Sequence, residues 1–211
     1  MILAIDVGVK NLAYCAMHKG ELQAWANTQL TATTYVPHET VSYVLAFVRE
    51  HRALLDAAEL IVIERQMRVN MRIIEAVLHA LFFHKVIVTN PRTVKAKYGL
   101  CKRNYRLNKD AAVLWVQTEL ALRPPCDLSR HFDAAKKKDD LADAYIMARF
   151  FSEQEVRQDT KWSVASTTQT LLKANASPTQ GMSSVLVSSP VSSKASQNAT
   201  VDTTSLGAPS P

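Results

Sequence analysis

Glycine is scarce in this chain of 211 residues: there are five, and only Gly8, Gly20 and Gly99 precede residue 162. Phosphate cradles built from the backbone need several glycine-rich turns, because only a residue without a side chain allows so close an approach. A nucleotide cradle is therefore not expected. Cysteine is scarcer still. Cys15, Cys101 and Cys126 form no CxxC pair, and an odd count argues against a closed disulfide framework. Reduced thiols and an intracellular setting are expected. No apolar run approaches the roughly 20 residues that span a bilayer, so no membrane partner is expected. The opening residues carry neither a basic n-region nor an Arg-rich amphipathic leader, which predicts no signal or transit peptide.

What is present suits one domain with an extension. The apolar fraction is 47% and the charged fraction 21%, enough to bury a sizeable core. Twenty-five Lys and Arg against 19 Asp and Glu leave a formal charge of +6, which favours a polyanionic partner. Composition then changes near Trp162. From Ser163 onward the chain is dominated by Ser, Thr, Ala, Pro and Asn, and only Lys173, Lys194 and Asp202 are charged. Such a stretch buries too little apolar surface to offset its ordering entropy. One folded domain over 1–155 and a disordered tail over 156–211 are expected, with Val185-Leu186-Val187 the tail's one weak docking motif.

Strand and helix signals alternate before the tail. Ile2–Val9, Leu12–His18 and Glu21–Thr28 read as strands, with Lys19-Gly20 a hairpin turn. Residues 38–55 have helical spacing after Pro37, Leu60–Glu64 is a short buried-type strand, and 70–83 form an amphipathic helix. Val86–Thr89 is a further strand, closed by Asn90-Pro91. Asn108 is placed to cap a helix to Leu122, and a last helix is expected from about Asp139 to Phe151. This order predicts an α/β fold with a mixed five-stranded sheet and helices on both faces.

Acidic residues interrupt this apolar framework. Asp6 and Glu64 each stand in an otherwise apolar strand, where an unpaired carboxylate is costly. Strand C-termini are where ligands bind in open α/β sheets. Asp140 and Asp143 are i, i+3 neighbours on one flank of the last helix and repel each other unless a cation lies between them. Four oxygen donors without a His or Cys cluster suit Mg²⁺, with Mn²⁺ as substitute, rather than zinc. Two such ions, about 4 Å apart, activate water and stabilise the leaving oxygen in phosphodiester hydrolysis. Between Arg92 and Lys109 lie seven basic residues and no acid, a run suited to phosphate contacts. Tyr98, Tyr105 and Phe132 are candidates for stacking on unpaired bases.

The segments Ile2–Asn11, Ile63–Gln66 and Lys137–Ala144 together resemble the RuvC-like Holliday junction resolvases, above all their poxvirus branch with its related mitochondrial enzymes. The likeness spans roughly residues 1–152. It implies an RNase H-like fold, a homodimer, and metal-dependent cutting of four-way DNA junctions by paired symmetric nicks, without a small-molecule cofactor. In a virus this work would be done in the host cytoplasm or at the site of viral replication. Residue by residue it assigns Asp6, Glu64, Asp140 and Asp143 as catalytic metal ligands, with Asp139 the alternative to Asp140, and Lys109 as the lysine that meets the scissile phosphate. The nucleic-acid surface is then expected to comprise Arg65, Gln66, Arg68, Lys95, Lys97, Lys102, Arg103, Arg106, Lys137 and Lys138. Met67, Met71, Ile73 and Ile74 are candidates for the dimer face. The competing readings are an RNase H-like nuclease acting on flaps, RNA or hybrids, and a non-catalytic DNA-binding module. Actin-like ATPases and sugar kinases share the Asp-x-Gly opening but need the glycine-rich cradle missing here.

Overall fold

A computed structural model describes residues 1–155; the expected tail, with its Val185-Leu186-Val187 motif, lies outside them. Five strands, β1 (Ile2–Asp6), β2 (Leu12–His18), β3 (Glu21–Thr28), β4 (Leu60–Glu64) and β5 (Val86–Thr89), form one sheet in the order β3-β2-β1-β4-β5. β1 pairs antiparallel with β2, and β2 with β3. β1 pairs parallel with β4, and β4 with β5. The sheet is mixed, as the hairpin signals followed by crossovers predict. Lys19 and Gly20 both take positive φ, 50° and 83°, which matches the twist of a two-residue hairpin.

Strand periodicity decides which face each side chain meets. Ile2 and Ala4 of β1, Val62 of β4 and Trp25 of β3 belong to one buried cluster, with Ala112, Val116, Phe132 and most of residues 141–148. Leu3, Ile5, Ile61 and Ile63 belong to the other, with Val44, Phe47, Leu55, Ile74 and Leu78. The second face is covered by α1 (Thr40–Glu50), α2 (Arg52–Ala57) and α3 (Val69–Leu81). The first is covered by α4 (Pro91–Lys97), α5 (Tyr105–Ala121), α6 (Asp127–Ala134) and α7, over 139–155. Even-numbered positions of β1 and β4 point to this first face, so Asp6 and Glu64 point there too. Ile5 stands opposite Ile63, and the two acids leave the parallel pair side by side.

Several elements differ from expectation for identifiable reasons. β1 stops at Asp6 rather than Val9, because the chain turns tightly at Gly8, where a Cβ would lie 2.4 Å from the Asn11 carbonyl oxygen. The helical stretch over 38–55 splits at His51, which caps α1 through its N–H to Phe47 O and stacks its ring on Phe47. The run after β5 opens with a helix the sequence signals did not include. Asn90 caps α4 by accepting from Arg92 N at 2.9 Å, Pro91 occupies its first turn, and Gly99 (φ 67°) closes it. Leu100 N donates to Lys95 O and Gly99 N to Ala96 O, the Schellman pattern. Asn104, not Asn108, caps α5, accepting from Arg106 N at 2.8 Å; Asn108 Oδ1 instead accepts from Lys102 N.

The polar-looking α6 is anchored by Phe132, which is fully buried and stacks on Trp25 with ring centroids 4.7 Å apart. Trp25 Nε1 in turn donates to Leu141 O at 3.0 Å, which ties β3 to the first turn of α7. Phe132 is thus core, and not free to stack on a base. Likewise Ile74, expected on a dimer face, is fully buried, while Met67 (87% exposed) and Val69 (73%) face outward. Tyr98 packs on Trp115, centroids 4.5 Å apart; Tyr105 remains exposed. Among the described residues no helix is long and apolar enough to cross a membrane.

Truncation of Phe132 to Ala should lower the stability to urea by about 3–5 kcal/mol, the usual loss for a buried aromatic. A variant with unchanged stability but weakened DNA binding would return Phe132 to the binding surface.

Candidate active site

Three acids from distant parts of the chain meet at the end of the β1–β4 pair. Carboxylate oxygens of Asp6, Glu64 and Asp143 all lie within 4.8 Å of one another. Asp6 and Glu64 arrive at the strand ends, and Asp143 projects from α7 one turn after its start. The apolar residues around it, Leu141, Ala142, Ala144 and Tyr145, are fully buried, which fixes the helix against the sheet. Asp140 lines the same cleft and its charge acts on all three acids. Its carboxylate is paired with Lys137. Asp139 does not line the cleft; it pairs with Lys109.

Repulsion among these acids is visible in their proton affinity. Burial, then Glu64, Asp143 and Asp140, holds the Asp6 carboxyl well above the usual carboxylate range. Burial and Asp143 push Glu64 up to about 7, against the pull of Lys95. Asp143 is also raised by burial, partly offset by Lys95. Lys95 enters from α4 and donates to Asp143 Oδ2 at 2.9 Å. Side-chain exposure is 17% for Lys95 and 12% for Asp143. Burial by itself would lower the Lys95 ammonium, but Asp143, Glu64 and Asp6 outweigh it and hold it above its ordinary value.

The donor set fits a divalent ion. It is all oxygen and it carries excess negative charge, which the ammonium of Lys95, 2.9 Å from both oxygens of Asp143, offsets only in part. Three clustered acids sharing one ammonium are a place where a hard cation satisfies what the protein does not.

Around the acids opens a cleft of about 930 Å³. Of the expected nucleic-acid residues, Arg65, Gln66, Arg68, Lys95, Lys102, Arg103 and Lys137 line it. Lys97, Arg106 and Lys138 do not, and Lys138 lies 5.9 Å from the centre of the Phe132 ring. Gln66 Nε2 donates to Glu64 O at 3.0 Å, and Gln66 N donates to Glu75 Oε2 at 2.7 Å; both fix the backbone that leaves β4. Lys109 lines the cleft while held at its rim by Asp139. Lys10 and Arg92 also line it and were outside the expected set. The position of Lys10 directly after the Gly8 turn, one residue past Val9, is the sequence signal that marks it. Lys95 lines the cleft and also reaches Asp143, from α4, a helix unforeseen from the sequence.

Residues 1–152 match the Poxvirus A22 protein family. No curated protein matches the sequence. The fold is similar to that of the yeast mitochondrial Holliday junction resolvase Ydc2, at 18% identity and a TM-score of 0.61, covering 79% of this chain and 85% of that one. It is also similar to the fowlpox virus resolvase crystallised with substrate Holliday junction DNA, at 18% identity and a TM-score of 0.56, covering 72% of this chain and 97% of that one. The chain belongs to the Poxvirus A22 protein family, and its fold is RNase H-like.

Proton linkage at Glu64 gives a signed test. With a folded value of about 7 and an unfolded value near the ordinary ~4.3, the folded metal-free protein binds the extra proton more tightly. Its melting temperature should therefore fall as pH rises from about 6 to about 8. Mg²⁺ competes with that proton, so it should raise the melting temperature more at about pH 8 than at about pH 6. A melting temperature indifferent to Mg²⁺ at both values would remove the metal site.

Proposed function

We propose that the protein is a divalent-metal-dependent endonuclease that resolves four-way DNA junctions by paired symmetric nicks. The observation that carries this reading is the meeting of Asp6, Glu64 and Asp143, with Asp140 on the same wall, in a member of the Poxvirus A22 protein family. The DNA-bound fowlpox resolvase supports branched DNA as the substrate.

Asp6, Glu64, Asp140 and Asp143 hold Mg²⁺, for which Mn²⁺ substitutes. Ions held there would supply an activated water and would offset the charge that develops on the phosphate and the leaving oxygen. The chain's own residues do the rest. The two strand ends are rigid, since Ile5, Val62 and Ile63 are fully buried, so the acids arrive preorganised at little entropic cost. Arg65, Arg68, Lys102 and Arg103 line the cleft as phosphate contacts that fix the register of the strand to be cut. Lys109, held at the rim by Asp139, is within the same cleft to steady the scissile phosphate. Tyr105, 73% exposed, is the aromatic available to stack on an unpaired base at the branch point.

Two symmetric nicks need two such sites related by a two-fold axis, which makes a homodimer the working unit. The outward Met67, which lines the cleft, and Val69 are apolar surface available for self-contact. The family's viral membership fits action where viral genomes replicate in the host cytoplasm. An RNase H-like nuclease of other specificity shares the same pocket; comparing cleavage of junction, flap and hybrid substrates separates the two.

Asp6→Asn and Glu64→Gln should each remove several kcal/mol of transition-state stabilisation, a rate loss of roughly a thousandfold or more on an immobile four-way junction. Junction affinity should remain, which also separates catalysis from a purely DNA-binding role. Normal cutting by either variant would overturn the assignment. For Lys102→Ala and Arg103→Ala, the slope of log affinity against log salt should shrink by about 1 per lost phosphate contact. An unchanged slope would take that residue off the interface.

A further inference from the structure

Lys95 is the least exposed of the three lysines paired with Asp139, Asp140 and Asp143, 17% against 28% for Lys109 and 45% for Lys137. Lys137 and Lys109 pair with the acids at the start of α7. Lys95 instead stands inside the group. It is held there by its own helix: Val94 is buried in the core at 1% exposure and Leu100 at 5%, and the Lys95 carbonyl is taken by Leu100 N at 3.0 Å. With the helix anchored at Val94 and just past its end at Leu100, the stem of Lys95 leaves the backbone toward Asp143. Its Nζ lies 2.9 Å from Asp143 Oδ2 and 2.9 Å from Oδ1, so one ammonium spans the carboxylate.

Resting on the metal-pocket reading above, we infer that Lys95 is a positioning residue that serves as the pocket's resident cation. Its ammonium neutralises Asp143 while the site holds no metal and competes with divalent ions for that carboxylate. Two consequences follow from Coulomb's law. The ammonium lets the acids stay assembled at neutral pH in the absence of metal. It also sets a ceiling on metal affinity, because a cation must be bound against a positive charge already in place. A lysine is suited to this, since its flexible stem lets the head withdraw from the carboxylate toward a phosphate in the cleft.

An ordinary structural ion pair makes the opposite prediction, which allows a test. Metal-free protein is titrated with Mn²⁺ alone by calorimetry at about pH 8, for the wild type, Lys95→Met and Lys95→Arg, each checked for folding by circular dichroism. Lys95→Met should bind Mn²⁺ about tenfold more tightly than the wild type, the scale of one lost charge-assisted competitor, and melt at a lower temperature when metal-free. Lys95→Arg keeps the charge and should stay within about twofold of the wild type. Unchanged or weaker Mn²⁺ binding by folded Lys95→Met overturns the inference while leaving the metal pocket intact. A wild type that binds no Mn²⁺ overturns both. If Lys95→Met does not fold, nitrogen-15 resonances of the wild-type lysine ammonium groups decide: a slowly exchanging signal, perturbed in Lys95→Arg, should vanish with the midpoint of Mg²⁺ binding, and a signal that persists through saturation overturns the inference.

Discussion

Like charges pressed together in a partly buried space are the constraint on which this molecule is organised. Asp6, Glu64 and Asp143 bring carboxylate oxygens within 4.8 Å, and burial reinforces their repulsion, as the raised proton affinity of all three shows. Nothing local favours such an arrangement. It exists because β1 and β4 are parallel, adjacent and in a register that ends them together, and because α7 is locked to the sheet by a nearly continuous buried run, Leu141 to Ala148. The apolar packing imposes the acid cluster, and the acid cluster in turn requires positive charge.

That charge comes from three directions. Lys95 enters from α4, Lys109 from α5 and Lys137 from the segment before α7. Lys95 pairs with Asp143, Lys137 with Asp140 and, at 4.0 Å, with Asp139, and Lys109 with Asp139. The same sign of charge continues outward through Lys10, Arg65, Arg68, Arg92, Lys102 and Arg103. A negative floor inside a positive rim is the electrostatic profile of a site that attracts a polyanion and confronts its backbone with bound cations. At 18% identity the fold is still shared with solved resolvases, at TM-scores of 0.61 and 0.56.

Much of this was legible from the chain alone, because the decisive signals were local contradictions. An Asp in Ile-Leu-Ala-Ile-Asp and a Glu ending Leu-Ile-Val-Ile-Glu both violate burial, and strand periodicity then sends them to one face. What escaped was set by longer-range packing. The seven basic residues spread over 92–109 masked α4, although Asn90, Pro91 and Gly99 spell its cap, its first turn and its end. With α4 unseen, Lys95 read as one more phosphate contact. Phe132 is flanked by His131 and Asp133, and only its stack on Trp25, more than a hundred residues away in the chain, identifies it as core. Asp139 and Asp140 are adjacent in sequence, and it is helix rotation that turns one toward the cleft and the other toward Lys109.

Anomalous X-ray scattering from crystals grown with Mn²⁺ examines the central claim with the fewest intermediate assumptions. Manganese peaks should appear between Asp6, Glu64, Asp140 and Asp143, with carboxylate oxygens as ligands. Well-ordered crystals in which manganese binds elsewhere, or nowhere, while those four side chains keep their places would contradict it.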